Sequence, residues 1–217
     1  LQTASVKFGR KLAEAMYLAQ QFIITYDYDE DKSPPFDYFF KTDIKTKALR
    51  RCIPLKKISK NQYCFIHKSI AEYFLADLIH TNIMKTDEKS EEFGGNYFDH
   101  EIINDTSVLQ FLAEYVSNSN NEFKDKLLNI VIKSTKNESI AIPSSNAITI
   151  LNYARIPFSD MDLSNVKIPY ADLRRGIFHH TNFAHADLSH VNFSQTYLAE
   201  AILDYSNMND VELGQLP

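Results

Sequence analysis

Histidine is the residue type in this 217-residue chain that most directly suggests chemistry, because imidazole binds metals and exchanges protons near neutral pH. Four histidines lie close together, at positions 179, 180, 185 and 190. His180, His185 and His190 are spaced five residues apart. If the backbone turns a corner every five residues, these three side chains lie at different corners and cannot converge on one ion. We therefore expect solvated corner histidines and no metal site.

A second pattern places one histidine between two carboxyl groups. Asp160, His180 and Glu200 are spaced 20 residues apart. If 20 residues form one coil, the three side chains share a corner at a spacing of about 4.8 Å. Flanking carboxylates favour the charged form of the imidazole. We expect an exposed surface stack of small energetic weight, with a pH sensor as the alternative.

Other residue combinations do not assemble a catalytic site. His67 and Glu72 lie five positions apart, on different faces of a predicted helix, with no nucleophile beside them. The chain has no G-x-x-x-x-G-K-[ST] motif, which phosphate binding requires. Cys52 and Cys64 are too few for a cysteine zinc site or a disulfide framework, which favours reduced thiols and a cytoplasmic location. We predict a protein that is not an enzyme, with no catalytic, cofactor-binding or metal-binding residues and no cofactor.

An apolar repeat in the last third of the chain positions most of these histidines. A large apolar residue recurs at every fifth position, although only 44% of all residues are hydrophobic. The position two residues earlier is mostly small, and Asp or Asn often stands between the two. The apolar series is Phe158, Leu163, Ile168, Leu173, Phe178, Phe183, Leu188, Phe193, Leu198, Leu203, Met208 and Leu213.

These units resemble the pentapeptide-repeat family, whose consensus is A(D/N)LXX, over residues 151–215. The closest units are Ala171-Asp172-Leu173 and Ala186-Asp187-Leu188. The resemblance implies a right-handed β-helix of square cross-section, with 20 residues in each coil. Stacked coils bury a continuous column that no single coil can bury alone, so we predict a structural ladder from Phe158 to Leu203. The first coil departs from the consensus, and we expect the preceding helix to cap it.

Residues 1–150 have a different, mostly helical pattern. Two short strands, Leu55–Lys57 and Tyr63–Ile66, predict a hairpin, and a long helix follows from Lys68 to about Met84. Predicted helix caps are Asp43, Thr106, Asn121, and either Ser144 or Ser145. The fold class is therefore α+β: an N-terminal helical region with a winged-helix-like hairpin, and a C-terminal right-handed quadrilateral β-helix. The predicted segments are 1–100 (winged-helix-like), 101–150 (helical linker or cap) and 151–217 (pentapeptide repeats).

The segment from Ser59 to Phe74 is more specific than this helix order. Its sequence, SKNQYCFIHKSIAEYF, resembles a signature that follows the nucleotide-binding module of NACHT-type STAND NTPases. The stretch 146–152 and the ending 211–217 resemble a branch of that family in which winged-helix and helical parts precede pentapeptides and often a WD-repeat propeller. The resemblance implies a fragment of a longer signalling protein. ATP binding is not carried over to this chain, because its motifs are absent.

Three functions follow from these patterns. The leading prediction is a scaffold or protein-interaction fragment that couples an NTPase module to C-terminal repeats of the same longer chain, without a membrane or nucleic-acid partner. The first alternative is a DNA-mimicking inhibitor of a DNA topoisomerase, because residues 151–217 carry a net charge of −4 out of −5 for the chain. The second is winged-helix DNA binding through a basic run. That run comprises Lys45, Lys47, Arg50, Arg51, Lys56 and Lys57.

Overall fold

A computed structural model of the protein describes residues 2–26, 35–87, 90 and 92–214. The chain forms two compact units, residues 1–78 and 79–217. This division by contacts differs from the three segments predicted from composition and repeat content, which stay a prediction. In the described part of the chain, no helix is long and apolar enough to cross a membrane.

The first unit combines helices with a small antiparallel sheet. Its helices are α1 (Gln2–Leu18), α2 (Asp37–Phe40), α3 (Ile44–Arg51) and the start of α4 (Lys68–Lys85). The strands β1 (Ile24–Thr25), β2 (Leu55–Lys57) and β3 (Gln62–Phe65) pair in the order β1-β3-β2. The predicted hairpin is thus present, with its second strand displaced by one residue.

Aromatic packing and a few polar contacts hold this unit together. The ring of Phe8 on α1 meets the ring of Phe39 edge-on, with centroids 5.3 Å apart. Asp43 caps α3 as predicted, since its Oδ1 accepts the amide of Thr46 at 2.9 Å. That hydrogen bond lowers the pKa of the Asp43 carboxyl.

The second unit places helices ahead of the repeat. After the end of α4 come α5 (Asn96–His100), α6 (Thr106–Asn118), α7 (Glu122–Lys133), a short 3-10 helix (Glu138–Ile140) and α8 (Ala141–Tyr153). Helix α8 packs against α5, α6 and α7, and residues 143–152 of it are all buried. It is therefore the central helix of this unit.

Two of the predicted caps in this unit are wrong, and a third residue has the predicted position without a side-chain cap bond. Asp105, one residue before Thr106, caps α6 by accepting the amide of Ser107 at 3.0 Å. Asn121 precedes α7 in a left-handed conformation, with a φ of 66° and no side-chain cap bond. Ser144 and Ser145 lie inside α8, because the helix begins at Ala141.

Residues 158–214 form a stack of 20-residue coils. Parallel bridges join residues 20 apart, such as Asp162 with Asn182 and Asn182 with Ile202. From Phe158 to Phe193, the amide of each apolar repeat residue donates to the carbonyl 19 positions later, as Phe183 does to Ile202 at 2.7 Å. Each bridge is a single residue, because a pentapeptide gives two residues to a turn and leaves too few for a longer strand. The strand content of the segment is therefore small, although backbone hydrogen bonds join its coils.

Every corner of the coil has the same backbone conformation. The second turn residue has a positive φ at twelve positions in steps of five, from Arg155 to Asp210, with values of 53–63°. Such a residue is what a type II turn requires at its third position. None of the twelve is glycine, and a left-handed non-glycine residue costs on the order of 1 kcal/mol or more. Packing and hydrogen bonding between coils must offset this repeated cost.

The frequent Asp or Asn of the repeat has a structural role in these turns. Asp162 Oδ1 accepts the amide of Ser164 at 3.0 Å, and Asn182 Oδ1 accepts that of Ala184 at the same distance. The amide of Ser164 lowers the pKa of the Asp162 carboxyl. Asn182 Nδ2 also donates to Asp162 Oδ1 at 3.0 Å, which joins neighbouring coils. A short side chain with an oxygen at this position therefore serves both the turn and the stack.

Polar side chains of the preceding helices cover the outer edge of the first coil. Ser145 Oγ on α8 donates to the carbonyl of Pro169 at 2.6 Å. Thr149 Oγ1 accepts the amide of Asp172 at 3.0 Å, and Asn152 Nδ2 donates to the carbonyl of Asp172 at 3.2 Å. These bonds pair backbone groups that a bare coil edge would leave open. Helix α8 thus caps the repeat, as the sequence led us to expect.

The cap leaves no room for a side chain at Gly176, so replacement of this residue by alanine should destabilise the protein. A Cβ at residue 176 would lie 2.5 Å from Asn152 Oδ1 and 2.4 Å from the ring of Phe178. We expect Gly176→Ala to lower the free energy of unfolding by about 1–3 kcal/mol, measured by urea denaturation. Ala201→Ser, which adds one atom at the same repeat position in the last coil, is the control and should cost less than about 0.5 kcal/mol. Equal stability of the two variants would contradict the steric explanation.

Candidate functional site

The interior of the stack contains the predicted ladder. Eight of its ten residues, from Phe158 to Phe193, are at most 2% exposed. Leu198 and Leu203 are half-buried, because they belong to the last coil that the structure describes. The rings of Phe158 and Phe178 stack with centroids 4.8 Å apart and planes 3° from parallel. Since apolar side chains fill this interior, any recognition must use the outer surface.

Four columns of corner residues run along the outside of the stack. Each contains residues 20 positions apart, all in the left-handed conformation described above. Their side chains contact one another from coil to coil; for example, the rings of Tyr170 and His190 stack at 4.4 Å. The columns are Arg155-Arg175-Gln195, Asp160-His180-Glu200, Asn165-His185-Tyr205 and Tyr170-His190-Asp210.

The predicted surface stack forms the second of these columns. His180 Nδ1 lies 3.3 Å from Asp160 Oδ1, and His180 Nε2 lies 2.5 Å from Glu200 Oε2. The hydrogen bond to Glu200 raises the pKa of His180, and the same bond lowers the pKa of Glu200. All three side chains are exposed, so solvent screens their attraction.

His179 joins this column, which the sequence analysis missed. Its ring centroid is 3.8 Å from that of His180, and its Nδ1 is 3.1 Å from the carbonyl oxygen of Ala199. One ligand atom each from His179, His180 and Glu200 lie within 4.8 Å of one another. His180, His185 and His190 do lie in three separate columns, as reasoned from their spacing. The spacing rule did not cover His179, because it is the other residue of the same turn as His180.

A basic cleft is the second feature that the sequence analysis missed. Arg155, Arg174 and Arg175 line a cleft of about 700 Å³ beside Asn152 and Gln195. These are three of the four basic residues in the acidic segment 151–217. The 20-residue spacing of Arg155 and Arg175, which places them in one column, was the available signal.

The three arginines of the cleft have different partners. Arg174 pairs with Asp172, with Nη2 and Oδ2 2.6 Å apart. Arg175 Nε donates to Gln195 Oε1 at 2.8 Å. Within the described residues, neither Arg155 nor Arg175 has an ion-pair partner. Two guanidinium charges in this cleft are therefore available to an anionic group.

The basic run of the first unit is partly used in structural contacts. Arg50 Nη1 donates to the carbonyls of Phe39 at 2.7 Å and Lys41 at 3.0 Å. Lys57 lies over the ring of Tyr63. The remaining members of the run are exposed: Lys45, Lys47, Arg51 and Lys56. Of the six basic residues in this run, these four have no partner among the described residues that would keep them from phosphate groups.

His67 and Glu72 have separate structural partners. His67 Nδ1 accepts the amide of Ser69 at 3.2 Å, near the start of α4. Glu72 Oε1 lies 2.9 Å from Lys68 Nζ, and the Glu72 side chain is buried. Glu72 therefore pairs within its own helix, and the two side chains do not contact a common partner.

Comparisons with known proteins concern only the repeat. Residues 177–215 match the family described as pentapeptide repeats, with eight copies. No curated protein and no solved structure matches the chain. The turn and bridge geometry of the matched residues continues back through residues 158–176. What the comparisons establish is therefore a pentapeptide-repeat segment at residues 177–215.

Proposed function

We propose that the protein is a non-catalytic interaction segment of a STAND-type signalling NTPase. The observation that carries this proposal is the division of the repeat into a filled apolar interior and four outer columns of polar or aromatic side chains. A surface of this kind can recognise a partner and hold it at a fixed distance, but it brings no nucleophile to a general base. The hairpin followed by α4, together with the signature at residues 59–74, supports the assignment to this class.

The fold proposed for the repeat is a right-handed quadrilateral β-helix. Its support is the 20-residue bridge offset, the left-handed corner every five residues, and the family match at residues 177–215. Four corners in 20 residues give each coil four sides. Hydrogen bonds hold most turns and join successive coils: the amide of Thr181 donates to the carbonyl of Phe178 at 3.2 Å, and the amide of Phe183 donates to the carbonyl of Ile202 at 2.7 Å.

In this proposal, the first unit is a winged-helix part that transmits the state of an NTPase module to the repeat. The first test is the complete reading frame that encodes the chain. We expect a G-x-x-x-x-G-K-[ST] motif upstream of residue 1, and its absence would contradict the assignment. The 217-residue chain itself should hydrolyse no ATP, as measured by phosphate release. Turnover above that of a buffer blank would contradict the non-catalytic proposal.

The basic cleft is the proposed docking face for that module. An NTPase module purified from the same reading frame should bind the chain, measured by isothermal titration calorimetry. The double substitution Arg155→Glu and Arg175→Glu should raise the dissociation constant at least tenfold, because it reverses both available charges. Lys56→Glu, an equivalent change on the hairpin, is the control and should have little effect. Equal weakening by the control, or no binding by the native pair, would contradict this docking face.

The acidity of the repeat is the observation that favours the DNA-mimic alternative. Residues 151–217 contain eight acidic residues, whereas a duplex mimic needs a continuous negative surface. Arg155 and Arg175 interrupt that surface along one entire corner. Gyrase supercoiling assays with the folded chain would distinguish the two functions, since the scaffold proposal expects no inhibition.

A further inference from the structure

We propose that His179, His180 and Glu200 form a binding site for a divalent transition metal, with zinc as the expected occupant. Their ligand atoms already lie within 4.8 Å of one another on a single edge of the stack. Two imidazoles and one carboxylate form a donor set typical of open zinc sites, which leave a fourth position for water or another ligand. This inference does not depend on the proposed NTPase context.

The hydrogen bond of His179 prepares its ring for a metal. A carbonyl oxygen can only accept, so the 3.1 Å contact with Ala199 places a hydrogen on His179 Nδ1. In the neutral ring the lone pair is then on Nε2. A backbone carbonyl on the second ring nitrogen is a usual support for metal-binding histidines. His179 is also half-buried against the stack, which limits the orientations of its ring.

His180 has the corresponding support from a carboxylate. Asp160 Oδ1 lies 3.3 Å from His180 Nδ1, on the side of the ring away from Glu200. With Nδ1–H donated to Asp160, Nε2 is the nitrogen that faces Glu200. A metal would take the place of the proton between His180 Nε2 and Glu200 Oε2. Asp160 is therefore a positioning residue and not a ligand.

A bound metal requires rotation of the Glu200 side chain and of the His179 ring, which now stacks on the ring of His180 with centroids 3.8 Å apart. Ligands at about 2.0–2.2 Å from zinc lie roughly 3.4 Å apart in a tetrahedral site. His180 Nε2 and Glu200 Oε2 are now 2.5 Å apart, so they must separate by about 1 Å. Rotation of the exposed Glu200 side chain can supply this movement. The backbone positions are fixed, because His180 donates its amide to the carbonyl of Ala199 at 3.1 Å.

The donor set also discriminates among metals. Imidazole nitrogen favours zinc, nickel and copper, whereas magnesium and calcium prefer oxygen ligands only. We therefore expect binding of zinc and no measurable binding of magnesium at the same concentration. Copper and nickel should bind as well, because affinity for nitrogen donors follows the Irving–Williams order.

Zinc titration of the untagged, chelator-treated chain tests the site. We expect one zinc ion per chain by isothermal titration calorimetry. The variants His179→Ala, His180→Asn and Glu200→Gln should each weaken binding at least tenfold, and Asp160→Asn about tenfold or more through the ring that it positions. In NMR spectra, zinc should shift the imidazole signals of His179 and His180 but not that of His185.

His185→Asn is the matched control for His180→Asn. Both histidines occupy corner positions with left-handed φ values, 59° and 55°, which asparagine tolerates well. The control should bind zinc with unchanged affinity, and circular dichroism should report native folding of both variants. Absence of zinc binding by the native chain would overturn the proposal. It would equally be overturned by zinc binding that survives His180→Asn, since that result would place the ion on other residues.

Discussion

Replacing Phe183 by alanine should lower the free energy of unfolding by about 3–5 kcal/mol. Phe183 is fully buried, and its ring contacts those of Phe178 and Phe193, with centroids 5.5 and 6.1 Å away. Coils lie on both sides of it, because its own coil is bridged to the preceding and the following one at Asn182. Truncation therefore leaves a cavity that the stacked backbone cannot close.

Urea denaturation can measure this loss if the transition of the second unit is fitted separately from that of the first. Leu213→Ala is the matched control, since Leu213 occupies the same repeat position but is 61% exposed. It should cost less than about 1 kcal/mol. A loss below 1 kcal/mol for Phe183→Ala would contradict the central position of this ring in the stack.

The difference between these two residues illustrates what a repeat sequence can predict. The inward direction of every fifth side chain follows from local geometry that recurs unchanged. The spacing alone therefore predicts that Phe183 and Leu213 both occupy the inward position. The degree of burial depends on neighbouring coils and differs along the register. Leu198 and Leu203 share the inward position but are half-buried, because burial requires a coil on each side.

The first coil shows a second limit of sequence reasoning. Its large residues at the normally small position, including Val166, predicted contact with a preceding helix. The hydrogen bonds that make this contact specific, from Ser145, Thr149 and Asn152, were not predictable. They depend on how a helix axis meets a coil edge, which no local pattern encodes. The need for glycine at residue 176 follows from its contact with Asn152, which the sequence did not predict.

The candidate sites were predicted incompletely for the same reason. Asp160, His180 and Glu200 were grouped by spacing, because all three occupy one repeated position. His179 occupies the adjacent position, where its ring direction is set by a bond to Ala199 on the next coil. The basic cleft requires Arg174 as well as Arg155 and Arg175, and therefore two different repeat positions. A five-residue period predicts which residues share a position of the repeat unit. It does not predict which side chains from different positions of the unit lie close together.

Asn146 joins two segments that are far apart in the sequence. Its replacement by leucine should lower the free energy of unfolding by about 3–5 kcal/mol. The side chain lies fully buried on α8. Its Nδ2 donates to the carbonyls of Phe98 and Glu101, both at 2.7 Å, and its Oδ1 accepts the amide of Ile103 at 2.8 Å. One amide group thus pairs one backbone group of α5 and two of the segment that follows it. Leucine has a similar size but would leave all three without this partner.

Asn146→Asp separates hydrogen bonding from packing. A carboxylate keeps the acceptor for Ile103 but places negative charge against two carbonyl oxygens, which should raise the pKa of the new group. An acid with a raised pKa in the folded state destabilises the protein above its unfolded-state pKa of about 4. The loss of unfolding free energy in Asn146→Asp should therefore become smaller as the pH falls from 8 to 5. The loss in Asn146→Leu should not change with pH.

Urea denaturation at these two pH values provides the measurement, with Asn129→Leu as the control. Asn129 is exposed on α7, so its replacement should alter stability by less than about 0.5 kcal/mol. A pH-independent deficit for Asn146→Asp would contradict the carbonyl contacts as its cause. Asn146 lies on α8, the helix that caps the first coil. Its replacement should therefore also increase hydrogen exchange at the amide of Asp172, which donates a hydrogen bond to Thr149 Oγ1 on the same helix. Unchanged exchange there would mean that the cap is held independently of the segment between α5 and α6.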